Sequence, residues 1–448
     1  MKKKSKKFEN IYEISIKELT KSLNSFHNLK KKNRYWELII GKWLSSIIYL
    51  YANNTPTRTA NKNISIKTYN DSIEFNRDFN SKKLNELIGI LKKNQFIKIN
   101  RIDESLLNQN NKSIFKYLIY KFLNYFDFRR NSIIFDTNIN YKLKTVRYSA
   151  YEFLSLRNKK INNKKYDLKS REKIRQELVK RNYKNNLLNS LLNTCIYLIP
   201  KSYLENFEEY YEKYFIKTKK KKLISSHAHI TDDEYKIYLA NQIGKAKLVY
   251  LQHGAEYLIG NNLLHHKFEY NTPDTFYTYG GFGTSYIKNV KSFYIPKIKT
   301  TLQKNIKEHT IILKDFFDYE FGVDRIDFNT YLKNYRKIVS IIKNYSKVTI
   351  RLYGNLENIK KSKKGSNIDN KKILKAFDNK DRVNLTGSEN NLLEIKNNML
   401  VFTYIGSAFL QAMANNIPSV LFLNKDLQII YNDEFLRELK KFKNSFFF

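Results

Sequence analysis

The residues best suited to acid–base chemistry lie in a short segment near the middle of the chain. Leu248-Val249-Tyr250-Leu251 is an uninterrupted apolar run, typical of a strand that is buried on both faces. Gln252-His253-Gly254 follows at the carboxyl end of that strand, where open α/β sheets bind ligands. Histidine can move a proton near neutral pH, and glycine lets a ligand approach the main chain. This pattern favours His253 as a catalytic base or phosphate ligand, with a structural loop histidine as the alternative.

A second strand with a polar end precedes this segment. Residues 223–226 are predicted to form a short strand that runs into Ser and then His227 and His229, and residues 232–241 have a helical pattern that begins with two acidic residues. Strand, helix and strand make a βαβ unit, so both polar ends should share one sheet edge. His227 is therefore a second catalytic candidate, whereas His229 is expected to be structural.

The loop after His253 holds two further titratable features. Glu256 could act as the catalytic acid or base, because a transfer to a hydroxyl needs a group that removes its proton. A solvent-facing loop carboxylate is the alternative interpretation of Glu256. His265 and His266 are expected to form a surface pair.

The segment from Met399 to Phe422 predicts an anion site. It has the pattern of a strand, a Gly406-Ser407 turn, a helix, a turn at Pro418 and another strand. Ser407 is expected to cap the helix, whose free N–H groups and dipole favour phosphate. The segment lacks a Walker lysine, and because any βαβ unit needs a cap, its specificity is modest.

The remaining pattern predicts two α/β units after a helical start. Residues 285–308 are basic and weakly patterned, and a fresh series of strands and helices begins at Thr310. The expected domains are 1–300, with the helical start and the Gln-His-Gly segment, and 301–448. Trp36, Ile40 and Trp43 have the spacing of one helical face, which favours a core helix over a ligand-binding one.

Charge and composition limit the possible partners. The chain of 448 residues has 82 basic and 42 acidic residues, a net charge of +40, which alone would suggest binding to nucleic acid or an anionic membrane. The lysines are spread throughout and accompany abundant Asn, Ile and Tyr, which is the bias of an AT-rich coding sequence. Nucleic acid is therefore not expected, and attraction to an anionic membrane surface is favoured over it.

Cysteine content and hydropathy indicate a reducing compartment. Cys195, the only cysteine, excludes an intrachain disulfide and a cysteine-based metal site, and its apolar neighbours predict a buried position. The basic start lacks the apolar region of a signal peptide, and no apolar run is long enough to span a membrane. We expect a cytoplasmic protein, with peripheral contact at the inner face of the cell membrane as an option.

Four motifs occur in an order and spacing that match a known family. They are the Ser-Ser-His to Gln-His-Gly block within 224–260, the Arg34–Leu44 segment, the strand end at 276–280 and the segment 403–422. Together they resemble the transferases encoded in bacterial lipopolysaccharide and other surface-polysaccharide gene clusters. The Gln-His-Gly block is the most specific of the four.

The resemblance implies a GT-B-like fold, in which two Rossmann-type lobes face each other across a cleft. It also implies glycosyl or related transfer from a nucleotide-activated donor to a glycan or glycolipid, with no cofactor and no bound metal. Helix N-termini and basic side chains would hold the diphosphate. The donor-site candidates are Gly254, Gly406, Ser407, Gln411 and Arg351.

Three departures from the family pattern stand out. Ala255-Glu256 replaces a common second glycine, and Gln411 replaces a glutamate that tends to hold a ribose, so the charge-assisted bond is lost. The chain also ends early for this family, which suggests a compact or truncated second lobe. A catalytically inactive basic scaffold of the same fold, which binds nucleic acid or an anionic glycolipid, is the alternative function.

Overall fold

A computed structural model gives the structure of the protein and describes residues 2–53, 64–78, 81–93, 99–103, 132–135, 151–157, 161–181, 183–216, 218, 221–252, 254, 257, 259, 264–278, 290–292, 308–313, 328–352, 375–377, 383–386, 398–402, 405–414, 417–422 and 433–441. The helices in these ranges are α1 (Lys2–Phe26), α2 (Asn33–Asn53), α3 (Ser72–Asp78), α4 (Lys82–Lys93), α5 (Tyr151–Arg157), α6 (Leu168–Val179), α7 (Asn186–Thr194), α8 (Phe207–Tyr214), α9 (Ala228–Thr231), α10 (Asp233–Asn241), α11 (Lys267–Asn271), α12 (Phe328–Ile342), α13 (Ser407–Ala414) and α14 (Asp433–Lys441). The strands are β1 (Ile64–Lys67), β2 (Ile99–Asp103), β3 (Ser132–Phe135), β4 (Lys222–Ser225), β5 (Lys247–Leu251), β6 (Thr275–Thr278), β7 (Val290–Ser292), β8 (Glu308–Ile312), β9 (Lys347–Arg351), β10 (Val383–Thr386), β11 (Asn398–Phe402) and β12 (Ser419–Leu421).

The first large sheet contains the Gln-His-Gly strand at its centre. Its strands lie in the order β3-β4-β5-β6-β7, and all of them are parallel. Parallel strands of this kind are covered by helices on their faces, which explains the continuous apolar run in β5. The carboxyl ends of β4, β5 and β6 therefore meet at one edge of this sheet.

The second large sheet has a doubly wound order. Its strands lie in the order β10-β9-β8-β11-β12 and are again parallel. Strand β8 comes first in the chain, and its neighbours β9 and β11 lie on opposite sides of it. The strand order therefore reverses between β8 and β11. That reversal creates a switch point, where open α/β sheets form a ligand crevice at the carboxyl ends of the strands.

These parallel sheets and their helices give an α/β fold of the Rossmann-like type, as the sequence predicts. A separate pair of parallel strands, β1 and β2, lies in the helical region that precedes the first large sheet. The domain boundary at residues 300 and 301 stays a prediction and falls outside the described residues. Among the helices that the structure describes, none is both long and apolar enough to cross a membrane.

Helix α2 forms the centre of the core beside the first sheet. Trp36, Ile40 and Trp43 are each 0% exposed, which confirms the predicted core face of this helix. Cys195 is also buried, and burial raises the pKa of its thiol to about 12, so this cysteine is a small core residue. Within the core, α2 packs against α1, α10 and α11.

Helix α11 approaches α2 closely at Gly41. A Cβ atom added at Gly41 would lie 2.6 Å from Cβ of Phe268, so only glycine allows this approach. Next to it, the Glu37 carboxylate accepts hydrogen bonds from Tyr12 at 3.2 Å and from Asn271 at 2.7 Å. These contacts fix the position of α11, which carries the central residue of the site described below.

The buried carboxyl group of Glu37 predicts a pH dependence of stability. Burial raises the pKa of Glu37 from 4.5 to about 7, although hydrogen bonds from Asn271 and Tyr12 oppose the shift. Between these values the folded protein holds a proton that the unfolded chain has released, so stability falls as pH rises through this window. Glu37→Gln should remove roughly 3 kcal/mol of this loss, measured as the free energy of unfolding at pH 5 and 8.

The control for this experiment is Glu177→Gln, because Glu177 lies on the exposed side of α6. It should leave the pH dependence of the wild-type protein unchanged. Parallel curves for Glu37→Gln and the wild-type protein would contradict the assigned protonation.

Candidate active site

The polar ends of β4 and β5 lie side by side, as the βαβ pattern predicts. Ser225 is opposite Tyr250 in the parallel register of the two strands. Gln252, directly after β5, is 3% exposed, and its side-chain amide donates to the carbonyl of Gly254 at 2.5 Å. This bond gives the start of the loop a defined shape. His253 and Glu256 lie outside the described residues, so their catalytic roles stay predictions.

The two histidines after β4 occupy different environments. His227 is half-buried at the sheet edge, with Nδ1 3.4 Å from Oγ1 of Thr231. His229 is 0% exposed and stacks on the ring of Tyr250 at 3.8 Å. His227 therefore lies where a ligand can reach it, whereas the burial of His229 agrees with the structural role expected for it.

Glu269 on α11 is a buried carboxylate that contacts the residues after β4 and β5. Glu269 is 1% exposed and accepts hydrogen bonds from Nε2 of His229 at 3.1 Å and from Nδ1 of His266 at 3.0 Å. The hydroxyl of Tyr257 lies 2.8 and 3.0 Å from its two oxygens. Three separate segments of the chain therefore meet at one side chain.

The protonation states in this cluster follow from its contacts. Burial alone would raise the pKa of Glu269, but the hydrogen bonds from His229 and His266 hold it well below its usual range. Burial lowers the pKa of His229 against the pull of Glu269, so its imidazole is neutral near pH 7. A neutral ring donates from Nε2 to the carboxylate and accepts the Ser225 hydroxyl at Nδ1, 2.9 Å away.

Ser225, His229 and Glu269 have the residue types of a hydrolytic triad, but the geometry does not support that function. Ser225 and His229 are both 0% exposed, so a substrate cannot reach the hydroxyl. A nucleophilic serine must be open to the substrate carbonyl. The cluster therefore positions the sheet edge and the loop above it.

His266 corrects one expectation. It is 6% exposed and lies against the ring of Tyr257 at 3.8 Å, so the prediction of a surface pair was wrong for this residue. The side chain is buried because Glu269, one helical turn later, supplies a carboxylate partner inside the core. The side chain of His265 lies outside the described part of the structure.

Two residues of the loop after β5, Tyr257 and Ile259, pack into different apolar clusters. Tyr257 donates to Glu269 and stacks against Phe276 at 5.5 Å, in the core of the first sheet. Ile259 is 5% exposed and belongs to the apolar cluster of the second sheet, together with Ile405 and Phe409. Ile259 therefore shares a buried cluster with Ile312 of β8 and Phe402 of β11, the two strands that flank the switch point.

The predicted phosphate segment lies at that switch point. Helix α13 begins at Ser407, and the carbonyl of Gly406 accepts the first helical hydrogen bond from the amide of Leu410 at 3.2 Å. Gly406 thus occupies the N-cap position that the sequence assigned to Ser407, since the backbone turns into the helix one residue earlier. The side chains of Ser407 and Gln411 lie outside the described residues.

Arg351 lies at the same edge of the second sheet. It is the last residue of β9, it is half-buried, and its carbonyl accepts from the amide of Leu313 at 3.0 Å. Because β9 neighbours β8 directly, Arg351 lies one strand away from the switch point. Its position is consistent with contact to an anionic ligand at that edge.

A family model described as LIC12162 family transferase matches residues 1–443. The chain belongs to the LIC12162 transferase family. The match includes both large parallel sheets, and it identifies the protein as a transferase. A comparison with curated proteins gives no match.

The sequence interpretation missed a second buried cluster in this LIC12162 family transferase. Asp233 accepts from the amide of Ser72 at 2.8 Å, the hydroxyl of Ser202 at 2.7 Å and Nζ of Lys236 at 2.9 Å. The Asp233 carboxylate and the Lys236 ammonium are almost completely buried. The spacing Asp-x-x-Lys on a predicted helix was the available signal, because residues three apart share a helical face.

Proposed function

We propose that this LIC12162 family transferase moves a glycosyl or related group from a nucleotide-activated donor to a surface-polysaccharide or lipopolysaccharide acceptor. The observation that carries the proposal is that Ile259 belongs to one buried apolar cluster with Ile405 and Phe409. This cluster supports a position of the Gln-His-Gly motif near the switch point of a doubly wound sheet. Ligands of such sheets bind at this position, and a group donor held there would face a loop that carries a proton-moving residue.

The proposed arrangement is GT-B-like, with two lobes that face each other across a cleft. The first lobe supplies His253 as the base, with Glu256 and His227 as the further acid–base candidates. The second lobe supplies the donor site, where the free amides at the start of α13 favour a diphosphate. Gly406 and Arg351 support this placement because both lie at the carboxyl edge of the second sheet.

The donor site is proposed to need neither a metal ion nor a cofactor. Helix amides and a cationic side chain can neutralise a diphosphate without a cation, as the positive end of the helix dipole favours negative charge. Gln411 is proposed to contact the ribose, and Gly254 to let the donor approach the main chain. The expected location is the cytoplasm, with peripheral contact between the basic chain and an anionic inner membrane surface.

A thermal-shift screen against UDP-, GDP-, CDP- and CMP-linked sugars tests the proposal. A ligand that binds only the folded state raises the unfolding temperature, so one class of donor should stabilise the protein at millimolar concentration. Addition of EDTA should leave this shift unchanged if no metal is required. Stabilisation by none of the four classes, together with salt-sensitive binding to nucleic acid or anionic glycolipid, would favour the inactive scaffold.

Substitution of Ser407 tests the donor site separately. Ser407→Asp places a carboxylate at the positive end of α13, so the helix should be as stable as before or more stable. The same charge should repel a donor diphosphate and weaken nucleotide binding by about fivefold or more, because a like charge close to the ligand costs at least about 1 kcal/mol. Both quantities are measured on one sample, by thermal unfolding and by calorimetric titration with the donor from the screen.

Ser407→Asn is the matched neutral control and should retain most of the affinity. If Ser407→Asp binds the donor as tightly as the wild-type protein does, the phosphates are held elsewhere.

A further inference from the structure

A cavity of about 600 Å³ opens between the turn that joins α1 to α2, the segment before α6 and the outer side of α8. A second cavity of about 440 Å³ adjoins it, and both are lined by Lys164, Glu208 and Glu212. Each volume lies within the range of small-molecule sites. The two cavities share these lining residues and are treated together as one groove, which suits a ligand with several repeating units. None of its lining residues belongs to the strand-edge site.

One wall of the groove is aromatic and preorganised. The His27 ring lies 4.8 Å from Phe26 and 4.5 Å from Phe207, and Phe207, which is 1% exposed and supports the wall from behind, stacks on Tyr211 at 5.8 Å. Phe26 is 37% exposed, although a large apolar side chain is usually buried. Burial lowers the pKa of His27 to about 4, so its ring is neutral and adds to the apolar wall near pH 7.

The turn that carries Phe26 and His27 is fixed by Asn24. The side chain of Asn24 donates to the carbonyl of Lys31 at 2.7 Å and accepts from the amide of the same residue at 3.0 Å. It also accepts from Nε1 of Trp36 at 2.9 Å, directly behind the aromatic wall. A preformed wall loses little conformational freedom when a ligand binds.

The groove is also lined by paired charges. Lys164 contacts Glu208 at 3.1 Å, and both side chains are exposed. Below them, Glu205 is held by Arg171 through two hydrogen bonds of 2.7 Å, so its charge is compensated. In a chain of net charge +40, the two cavities are lined by five carboxylates and three lysines, and this acidic excess disfavours nucleic acid and other polyanions.

We propose that this groove binds a neutral oligosaccharide, as a site separate from the strand-edge site. Sugar rings present C–H faces that pack on aromatic side chains, and their hydroxyls both donate to carboxylates and accept from ammonium groups. The aromatic residues, the Lys164–Glu208 pair and Glu212 line the same cavity and together offer these three kinds of contact. The site would hold a glycan chain while the strand-edge site acts, and its binding does not require the proposed transfer.

Calorimetric titration of the full chain with malto-, cello-, chito- and mannohexaose tests the inference. At least one of these neutral hexasaccharides should bind, and Phe26→Ala should weaken that binding by about 3–10-fold because an aromatic face is lost. Glu212→Gln keeps the size of the side chain but removes its charge, and it should also weaken binding. Both positions are exposed, so thermal unfolding should stay unchanged.

Tyr345→Ala is the control, because Tyr345 is an aromatic residue that is 84% exposed outside the groove. It should leave hexasaccharide affinity unchanged, and Phe26→Ala should leave nucleotide binding unchanged. The proposal is overturned if no hexasaccharide binds at millimolar concentration, if neither groove variant alters binding, or if a heparin hexasaccharide binds more tightly than the neutral ones. Loss of nucleotide response alone would count against the proposed function and leave this groove intact.

Discussion

Replacement of Glu269 by alanine is expected to lower the free energy of unfolding by about 3–5 kcal/mol. The carboxylate is 1% exposed and satisfies His229, His266 and Tyr257 at once. Its removal leaves buried donors without an acceptor, and each such group costs its full desolvation free energy. Urea unfolding at pH 7 measures the loss. Glu177→Ala, on the exposed side of α6, should change stability by no more than about 0.5 kcal/mol.

A double-mutant cycle makes this test specific to the cluster. Tyr257→Phe alone removes one hydroxyl and should cost about 1–2 kcal/mol. Once Glu269 is alanine, however, the hydroxyl has lost its partner, so the added cost of Tyr257→Phe should vanish or reverse. Additive losses in the double variant would show that the two side chains do not form one network.

The same cluster links stability to the proposed activity. Tyr257 connects Glu269 to the loop that follows Gln252, and Ile259 continues that loop into the core of the second sheet. Tyr257→Phe should therefore reduce the rise in unfolding temperature that a bound nucleotide sugar causes. This reduction should be larger than the small loss of stability of the unbound protein would explain. We therefore expect Glu269 and Tyr257 to act as positioning residues, since neither is exposed enough to contact a substrate.

The sequence predicts the sheet edges well because their signals are local. An apolar run followed by polar residues specifies both a buried strand and its end, as β4, β5 and β11 confirm. The core face of α2 is equally local, since Trp36, Ile40 and Trp43 repeat at helical spacing. The switch point could not be predicted from the sequence, because the order of strands in a sheet depends on pairing between segments that are distant in the chain.

The buried clusters show the opposite case. Glu269 accepts hydrogen bonds from His229, Tyr257 and His266, and no sequence pattern within α11 predicts these contacts. The spacing His266-x-x-Glu269 was the one local clue, because residues three apart share a helical face. The sequence predicted a surface position for His266, and the buried carboxylate of Glu269 explains why that prediction was wrong.

His253→Ala is expected to lower turnover by roughly 10²–10⁴-fold and to leave donor affinity largely intact, if His253 is the general base. A base must be neutral to accept the acceptor's proton, so wild-type activity should fall as pH drops through its pKa, near 6.5 for an unperturbed histidine. A phosphate ligand gives the opposite pattern, because the charged imidazole binds the donor and the loss of donor affinity in His253→Ala is then largest at low pH.

Single-turnover rates and donor affinities over about pH 5.5–8.5 separate these roles. His227→Ala is the matched comparison at the neighbouring strand end, since His227 is half-buried beside the same edge. If a folded His253→Ala protein is normal in both rate and affinity, the loop after β5 is not the active site, whatever the His227 variant does.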